Sequence, residues 1–220
     1  MCMRVLLVTD IHGDTENLEQ IVSRESFDAV LCAGDLSDDN EFDDYNEQLK
    51  QVLDVFDEGS GLTKAVPGNM DPEQDCVKQL IERRMNLHKK IAAFETFEAV
   101  GFGGGQTPFG TPFEPEGSEI QNALETLYDR MNADKRVAVI HQPPHNTELD
   151  KVDGDHVGSE EVRELLENKE FDLLLTGHIH ESRGRDEING TVLVNPGPVM
   201  EGYYGVAEID EEISVELKQV

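Results

Sequence analysis

Apolar positions along the chain follow two rhythms. Val5 to Val8, Ala29-Val30-Leu31-Cys32, Arg136 to Ile140, Leu173-Leu174-Leu175 and Thr191-Val192-Leu193-Val194 are short apolar runs, the pattern of strands covered on both faces. Weaker signals add strands over Lys64-Ala65-Val66, 91–94 and 97–102, and a closing pair over 204–209 and 213–217. Between the runs, apolar residues recur at helical spacing. Leu18, Ile21 and Val22 follow Asp14 or Thr15, either of which can cap a helix, and Leu49, Val52, Leu53 and Phe56 share one face of a helix expected from Glu41 to Phe56. Gly59-Ser60-Gly61 then makes a turn. Three more helices are expected: one begun by Pro72 and running to Arg84, one capped by Ser118 and running to Asn132, and one from Ser159 to Asn168. Strands alternating with helices for two thirds of the chain, then closing hairpins, predict a mixed α/β sandwich. With no shift in composition to mark a linker and no internal repeat, residues 1–220 are expected to form a single domain.

Composition changes the picture in one respect. Eighteen Lys and Arg face 47 Asp and Glu, a net charge of −29, spread from Asp38, Asp39, Asp43 and Asp44 through Glu160 and Glu161 to Glu211 and Glu212. An acidic surface everywhere, not one acidic tail, suggests adaptation to a salt-rich interior, where screening shortens to about 3 Å at 1 M. It disfavours non-specific binding to nucleic acid or to anionic membrane. No apolar run approaches the roughly 18 residues of a membrane span. Cys2, Cys32 and Cys76 are odd in number and lack CxxC spacing, so no disulfide framework is expected and a cytoplasmic location is.

The chemistry sits where strands end. Asp10 and His12 follow the first run, Asp35 the second and Asn69 the third; His141 follows Ile140, and Gly177 introduces His178 and His180. In α/β sheets, sites form beyond the carboxyl ends of strands, so these loops can converge. Carboxylate, imidazole and amide oxygen together suit manganese, iron, zinc, cobalt or magnesium, and not a thiolate zinc site. The Gly-rich stretch 101–106 has Gln106 in the last glycine position of a dinucleotide fingerprint and no matching helix start. It is expected as a loop over the site, with Gln106 or Thr107 near substrate. His88 is expected at the surface, as is His156, and Tyr203 and Tyr204 in core or hairpin. Asn195 is either a turn former or a residue lining the site. Asp71 is expected to orient a neighbour or to cap the helix after Pro72.

Asp10-x-His12, Gly34-Asp35, Gly68-Asn69-x-Asp71, His141 and Gly177-His178-x-His180 resemble, in order and over most of the chain, the signature of the calcineurin-like metallophosphoesterases. The Thr107-Pro108-Phe109 loop, His141-Gln142-Pro143-Pro144, the stretch 177–184 and Asn195-Pro196-Gly197 are similar to archaeal and bacterial members related to the Icc-type cyclic-nucleotide phosphodiesterases. The resemblance implies a four-layer αββα sandwich of two mixed sheets and two divalent metals. Manganese is the first expectation, with iron, zinc, cobalt, nickel or magnesium as alternatives. It implies Asp10, His12, Asp35 and His180 on one metal and Asp35, Asn69, His141 and His178 on the other, with a bridging hydroxide attacking phosphorus in line. Two divalent ions against two carboxylates reverse the local sign of an acidic protein, so a small phosphoester can approach.

The sequence departs from the pattern at Met70, where the family commonly has a His thought to protonate the leaving group. His145, four residues past His141, is the candidate substitute acid, and Asp71 a second candidate catalytic residue. A metal-dependent phosphodiesterase is the function expected. A phosphomonoesterase or protein phosphatase on the same site is the alternative, and a scaffold that keeps the fold without the chemistry is a third. The expected partner is a small phosphoester, with no nucleic acid or membrane; the pattern carries no signal for oligomeric state.

Overall fold

The computed structural model describes residues 2–39, 41, 44–59 and 61–220. Two mixed sheets lie face to face between layers of helix. The first has the order β13-β12-β1-β2-β3 and is built from β1 (Met3–Val8), β2 (Ala29–Cys32), β3 (Leu62–Ala65), β12 (Tyr203–Ile209) and β13 (Ile213–Gln219). The second has the order β10-β11-β9-β6-β5-β4 and is built from β4 (Lys90–Ala93), β5 (Glu98–Phe102), β6 (Arg136–Ile140), β9 (Leu173–Leu175), β10 (Gly184–Ile188) and β11 (Thr191–Asn195). In the first sheet β1, β2 and β3 are parallel, and in the second β5, β6, β9 and β11 are. Antiparallel strands close the β13 edge of the first sheet and both edges of the second, while β3 ends the first sheet as a parallel strand.

Alternation along the strands assigns the layers. Leu6, Val8 and Val30 point outward to α1 (Thr15–Arg24), α2 (Tyr45–Glu58) and α3 (Glu73–Glu82), packing with Leu18, Ile21, Leu49, Leu53 and Leu80. Val5, Leu7 and Leu31 point inward and meet Val137, Val139, Leu173 and Leu175 between the sheets. Ala138, Ile140 and Leu174 face the other way, towards α4 (Gly117–Tyr128) and α5 (Glu160–Asn168). This is the expected αββα order. It explains why β9 is leucine throughout: it is covered on both faces.

Most elements lie where the hydrophobic pattern puts them, and the differences have local causes. β3 begins at Leu62 and ends at Ala65, because β2 pairs with it from Ala29–Leu62 to Cys32–Ala65. α2 starts at Tyr45, capped by Asp44, whose carboxylate accepts from Glu47 N at 3.1 Å. Of the earlier start expected at Glu41, Phe42 and Asp43 lie outside the described residues, as does Ser60 of the expected turn. Asp14, not Thr15, caps α1. Ser118 is not a cap, because α4 begins one residue before it, at Gly117. That helix stops at Tyr128 and not Asn132, because Glu98 accepts from Asn132 N (2.7 Å) and Ala133 N (3.1 Å) and turns the chain into β6.

Three features had escaped the pattern. β10 is an edge strand of mostly charged residues in which Ile188 alone is buried. β7 (Lys151–Val152) and β8 (Asp155–His156) form a small hairpin through Asp153-Gly154, both at positive φ, a turn suited to that dipeptide. His88 is not at the surface. It is 4% exposed, edge-on to Phe102 and Phe113, and its Nδ1 accepts from Gly103 N at 2.9 Å. Burial, and then Lys89, pushes its pKa down to about 4, so it stays a neutral acceptor at the root of the Gly-rich loop.

Leu174 joins β9 to the α4–α5 layer and touches no candidate ligand. Leu174→Ala should destabilise the metal-free protein by about 2–5 kcal/mol in denaturant unfolding, and leave metal stoichiometry of the folded protein unchanged.

Candidate metal centre

The loops after β1, β2 and β3 are tied together before any ligand is considered. Asp10 N donates to Gly34 O (2.9 Å), and Ile11 N and His12 N both donate to Asp35 O (2.8 and 2.9 Å). Asp71 binds the next pair of loops: its carboxylate accepts from Gly68 N (2.8 Å), Leu36 N (3.0 Å), Ser37 N (3.1 Å) and the Tyr45 hydroxyl (2.8 Å). It therefore orients neighbours and does not cap α3, which has Pro72 at that position. Within the second sheet, Thr176 Oγ1 and Gly177 N, after β9, donate to His141 O, after β6 (2.9 and 3.2 Å). His178 N reaches both Asp10 carboxylate oxygens at 3.2 Å, a contact that joins the two sheets at the site.

This bracing holds backbone in an uncommon conformation. Among the described residues nine non-glycine positions have positive φ, and four are candidate ligands: Asp10 (52°), His12 (46°), Asp35 (48°) and His178 (72°). Such strain concentrates at functional sites. Gly68 shows how close the loops come, since a Cβ there would lie 1.9 Å from Asp35 Oδ1.

The seven candidate ligands converge on two points. At the first, His12 Nε2 and His180 Nε2 are 3.3 Å apart, His180 Nε2 is 3.5 Å from Asp10 Oδ1, and His12 Nε2 is 3.7 Å from Asp35 Oδ2. At the second, Asn69 Oδ1 lies 2.9 Å from His141 Nε2 and 2.7 Å from His178 Nδ1, and Asp35 Oδ2 lies 3.4 Å from His141 Nε2. Asp35 is common to both, its Oδ1 fixed by Met70 N at 2.8 Å. The backbone does not stay extended through His178 and His180: His178 is left-handed and His180 opens a short 3-10 turn. Their imidazoles thus face different points.

Hydrogen bonds on the far sides of the rings fix which nitrogens face inward. His141 Nδ1 is 2.7 Å from Ala33 O, and His178 Nε2 is 3.2 Å from Gln106 O. A carbonyl only accepts, so these nitrogens donate, and the opposite nitrogens, His141 Nε2 and His178 Nδ1, face Asn69 Oδ1, where a deprotonated ring offers its lone pair to a metal. Lone pairs gathered in a buried place call for a positive charge, which a proton on His141 supplies in the metal-free protein. The donor set fits divalent metals, and the protons of the metal-free protein show the same demand. Burial works against charge on His12, but Asp38, Asp35 and Asp10 outweigh it and raise its pKa to about 9. Burial likewise opposes charge on His141, which Asp35 and Asp10 raise to about 9. Burial acts to raise both carboxylates, yet His180, His141 and His12 hold Asp10 well below its usual range, and His141 and His12 lower Asp35. Burial, and then His141, lowers His178 to about 4.

Other residues singled out from the sequence lie elsewhere or act indirectly. His145 Nδ1 is 3.6 Å from Asp150 Oδ2 and its ring meets His156 at 5.7 Å, while His156 Nδ1 is 2.7 Å from Asp150 Oδ1. Both imidazoles are thus gathered on a buried carboxylate, and His156 is half-buried, not a free surface residue. Asp71 is fully buried, and burial, and then Asp35, raises its pKa to about 6. Asn195 is a turn former: its side chain accepts from Gly197 N and donates to Ile179 O, both at 2.9 Å. Asp38 went unnoticed. Its carboxylate lies 3.6 Å from His12 Nδ1 and orients that ring, and the signal was a second carboxylate three residues after Asp35.

Raised histidines make metal uptake a proton exchange. At pH 7.5, loading with manganese should release about two protons per chain, chiefly from His12 and His141, in calorimetry across buffers of different ionisation enthalpy. Release should fade above pH 9. A group whose pKa is raised on folding stabilises the fold below its unfolded pKa, near 6.5, and loses that contribution as pH rises through the folded value. The metal-free protein should therefore lose stability between about pH 6.5 and 9, and a release below one proton at pH 7.5 would contradict the assignment.

Comparison with known proteins identifies the family and the fold. The family model described as calcineurin-like phosphoesterase matches residues 3–182. A protein of Methanocaldococcus jannaschii described only as uncharacterized is 33% identical over 202 residues, 89% of this chain and 88% of that one. A Thermus thermophilus protein, TT1561, superposes with a TM-score of 0.78 at 19% identity, over 100% of this chain and 99% of its own. A dimetal phosphatase from Danio rerio superposes with a TM-score of 0.73 at 14% identity, over 99% and 96%. The chain belongs to the calcineurin-like phosphoesterase family, whose members are metal-dependent phosphoester hydrolases.

Proposed function

We propose that the chain is a binuclear metal-dependent phosphodiesterase acting on a small phosphoester. In this reading Asp10, His12 and His180 would hold one ion and Asn69, His141 and His178 the other, with Asp35 shared between them. The donor set of oxygen and imidazole nitrogen without thiolate suits manganese, the metal proposed here, as well as iron, zinc, cobalt or magnesium. When bound, the pair supplies Lewis acidity towards the phosphoryl oxygens and activates water.

The observation that carries the diester reading is Met70. It is half-buried, anchored to the Asp35 carboxylate through its backbone, and its thioether has no proton to give a leaving group. Monoesters with poor alkoxide leaving groups benefit most from such an acid. Charge points the same way. Among the described residues no Lys or Arg ion-pairs with Asp10 or Asp35, so the metals alone must offset the phosphate in a protein of net charge −29. A diester brings one negative charge and a monoester close to two.

His178 donates to the Gln106 carbonyl and so keeps its Nδ1 turned inward, and Asp38, beside His12 Nδ1, keeps the Nε2 of His12 turned inward. Asp71 works by position, holding the loops that carry Asp35 and Asn69. The proton for the leaving group is the role considered for His145, whose pairing with Asp150 and His156 favours a supporting place instead. A cytoplasmic location is supported by three free cysteines, and a salt-rich one by the acidic surface; no helix among the described residues is long and apolar enough to cross a membrane.

With manganese, kcat/KM for bis(4-nitrophenyl) phosphate should exceed that for 4-nitrophenyl phosphate by roughly tenfold or more, about 1.4 kcal/mol of transition-state preference. Preference for the monoester would overturn the diester reading, and no turnover with any divalent metal would favour a scaffold. His145→Ala should leave the dependence of rate on leaving-group pKa unchanged; a steeper dependence would make His145 the acid.

A further inference from the structure

Five large apolar side chains are exposed among the described residues: Leu62, Ile81, Phe109, Val157 and Met200. Scattered exposed apolar residues need no explanation. Three of these, however, stand on segments fastened to the metal centre. Phe109 is three residues past Gln106, whose carbonyl accepts from His178 Nε2 and whose N–H donates to Gln142 Oε1 at 2.7 Å. At most about 11 Å of backbone therefore separates it from a ligand's hydrogen-bond partner. The carbonyl of Val157 accepts from Nε2 of the same Gln142, next to His141, at 3.5 Å. Met200 N donates to the carbonyl of Asp10 at 3.4 Å.

Phe109 is the most exposed of the five, at 88%, yet it is held in place. Glu114 gathers the loop: its Oε1 accepts from Thr107 Oγ1 (2.6 Å), Thr111 N (2.9 Å) and Thr111 Oγ1 (3.0 Å), and Phe109 N donates to Thr107 Oγ1 at 3.2 Å. Gly110 makes the turn at positive φ with open space around it. At the other end Phe113 N donates to Asn69 O at 3.0 Å. An aromatic ring presented to water by an organised loop, rooted on two candidate ligands, is preorganised for a flat apolar group.

We propose that Phe109 is a specificity-determining residue that packs against an aromatic or similarly flat, uncharged ester arm of a phosphodiester at the centre, with Val157 and Met200 completing an apolar rim. This rests on the diester reading above. The charge organising the tip is Glu114, so an arm bearing a further phosphate would be repelled, whereas a nucleoside or aryl arm is not.

Two measurements test it. Phe109→Ala should raise KM for bis(4-nitrophenyl) phosphate about tenfold, the size of one lost stacking contact, and leave kcat within about twofold. Inhibition by inorganic phosphate, which has no arm to stack, should be much less affected. The chain has no tryptophan, so Phe109→Trp installs a single reporter. Its emission should shift to the blue and saturate with diphenyl phosphate, and not respond to dimethyl phosphate. An unchanged KM in Phe109→Ala, a loss shared equally by inorganic phosphate, or an emission indifferent to diphenyl phosphate would overturn the inference. If the unsubstituted protein turned over no diester while Phe109→Trp still bound diphenyl phosphate, the rim would be supported and the reaction assigned above would fall.

Discussion

Two aspartates, Asp10 and Asp35, lie in the interior at 1% and 2% exposure, and imidazole nitrogens face them from both sheets. Unpaired, such carboxylates would protonate or expel the loops that carry them. They stay ionised because something positive stands beside them: protonated histidine in the metal-free chain, and metal in the family to which it belongs. Much of the molecule's unusual local geometry follows from that demand. Four candidate ligands with left-handed φ cost about 1–3 kcal/mol each, a strain tolerated only in a well-braced setting.

The bracing is the work of the sandwich. Parallel strands from both sheets end at one edge, and each delivers a loop there. Buried leucines on both faces of β9 fix His178 and His180 against that edge, and His178 N tethers the second sheet to Asp10 of the first. Asp71, Asp38 and the carbonyls of Ala33 and Gln106 turn donor atoms inward from behind. A rigid core and an outer ring of hydrogen bonds thus determine where two cations can sit. A surface of net charge −29 adds a long-range field that metal ions held there would reverse for an anionic substrate.

Much of this was legible in the sequence for a physical reason. Buried strands leave apolar runs, and ligands must follow their carboxyl ends, so Asp10, His12, Asp35, Asn69, His141, His178 and His180 could be named before their geometry was known. Features set by a single long-range contact were not legible. His88 looked like a surface residue because its burial comes from Phe102, Phe113 and Gly103, all distant in sequence. The end of α4 depends on Glu98, more than thirty residues from the backbone it captures. β10 carries charged residues because it is an edge strand, so its pattern hid it. The company of His145 was equally hidden, since Asp150 and His156 approach it only once the hairpin of β7 and β8 has formed.

The proposed centre has seven side chains converging on two cations with Asp35 between them. Anomalous diffraction from crystals grown with manganese, recorded on both sides of the metal's absorption edge, tests it most directly. Two peaks about 3.5–4 Å apart are expected, one against Asp10, His12 and His180, the other against Asn69, His141 and His178, with Asp35 touching both. One peak shared by His178 and His180, or an ion bound away from Asp35, would contradict it.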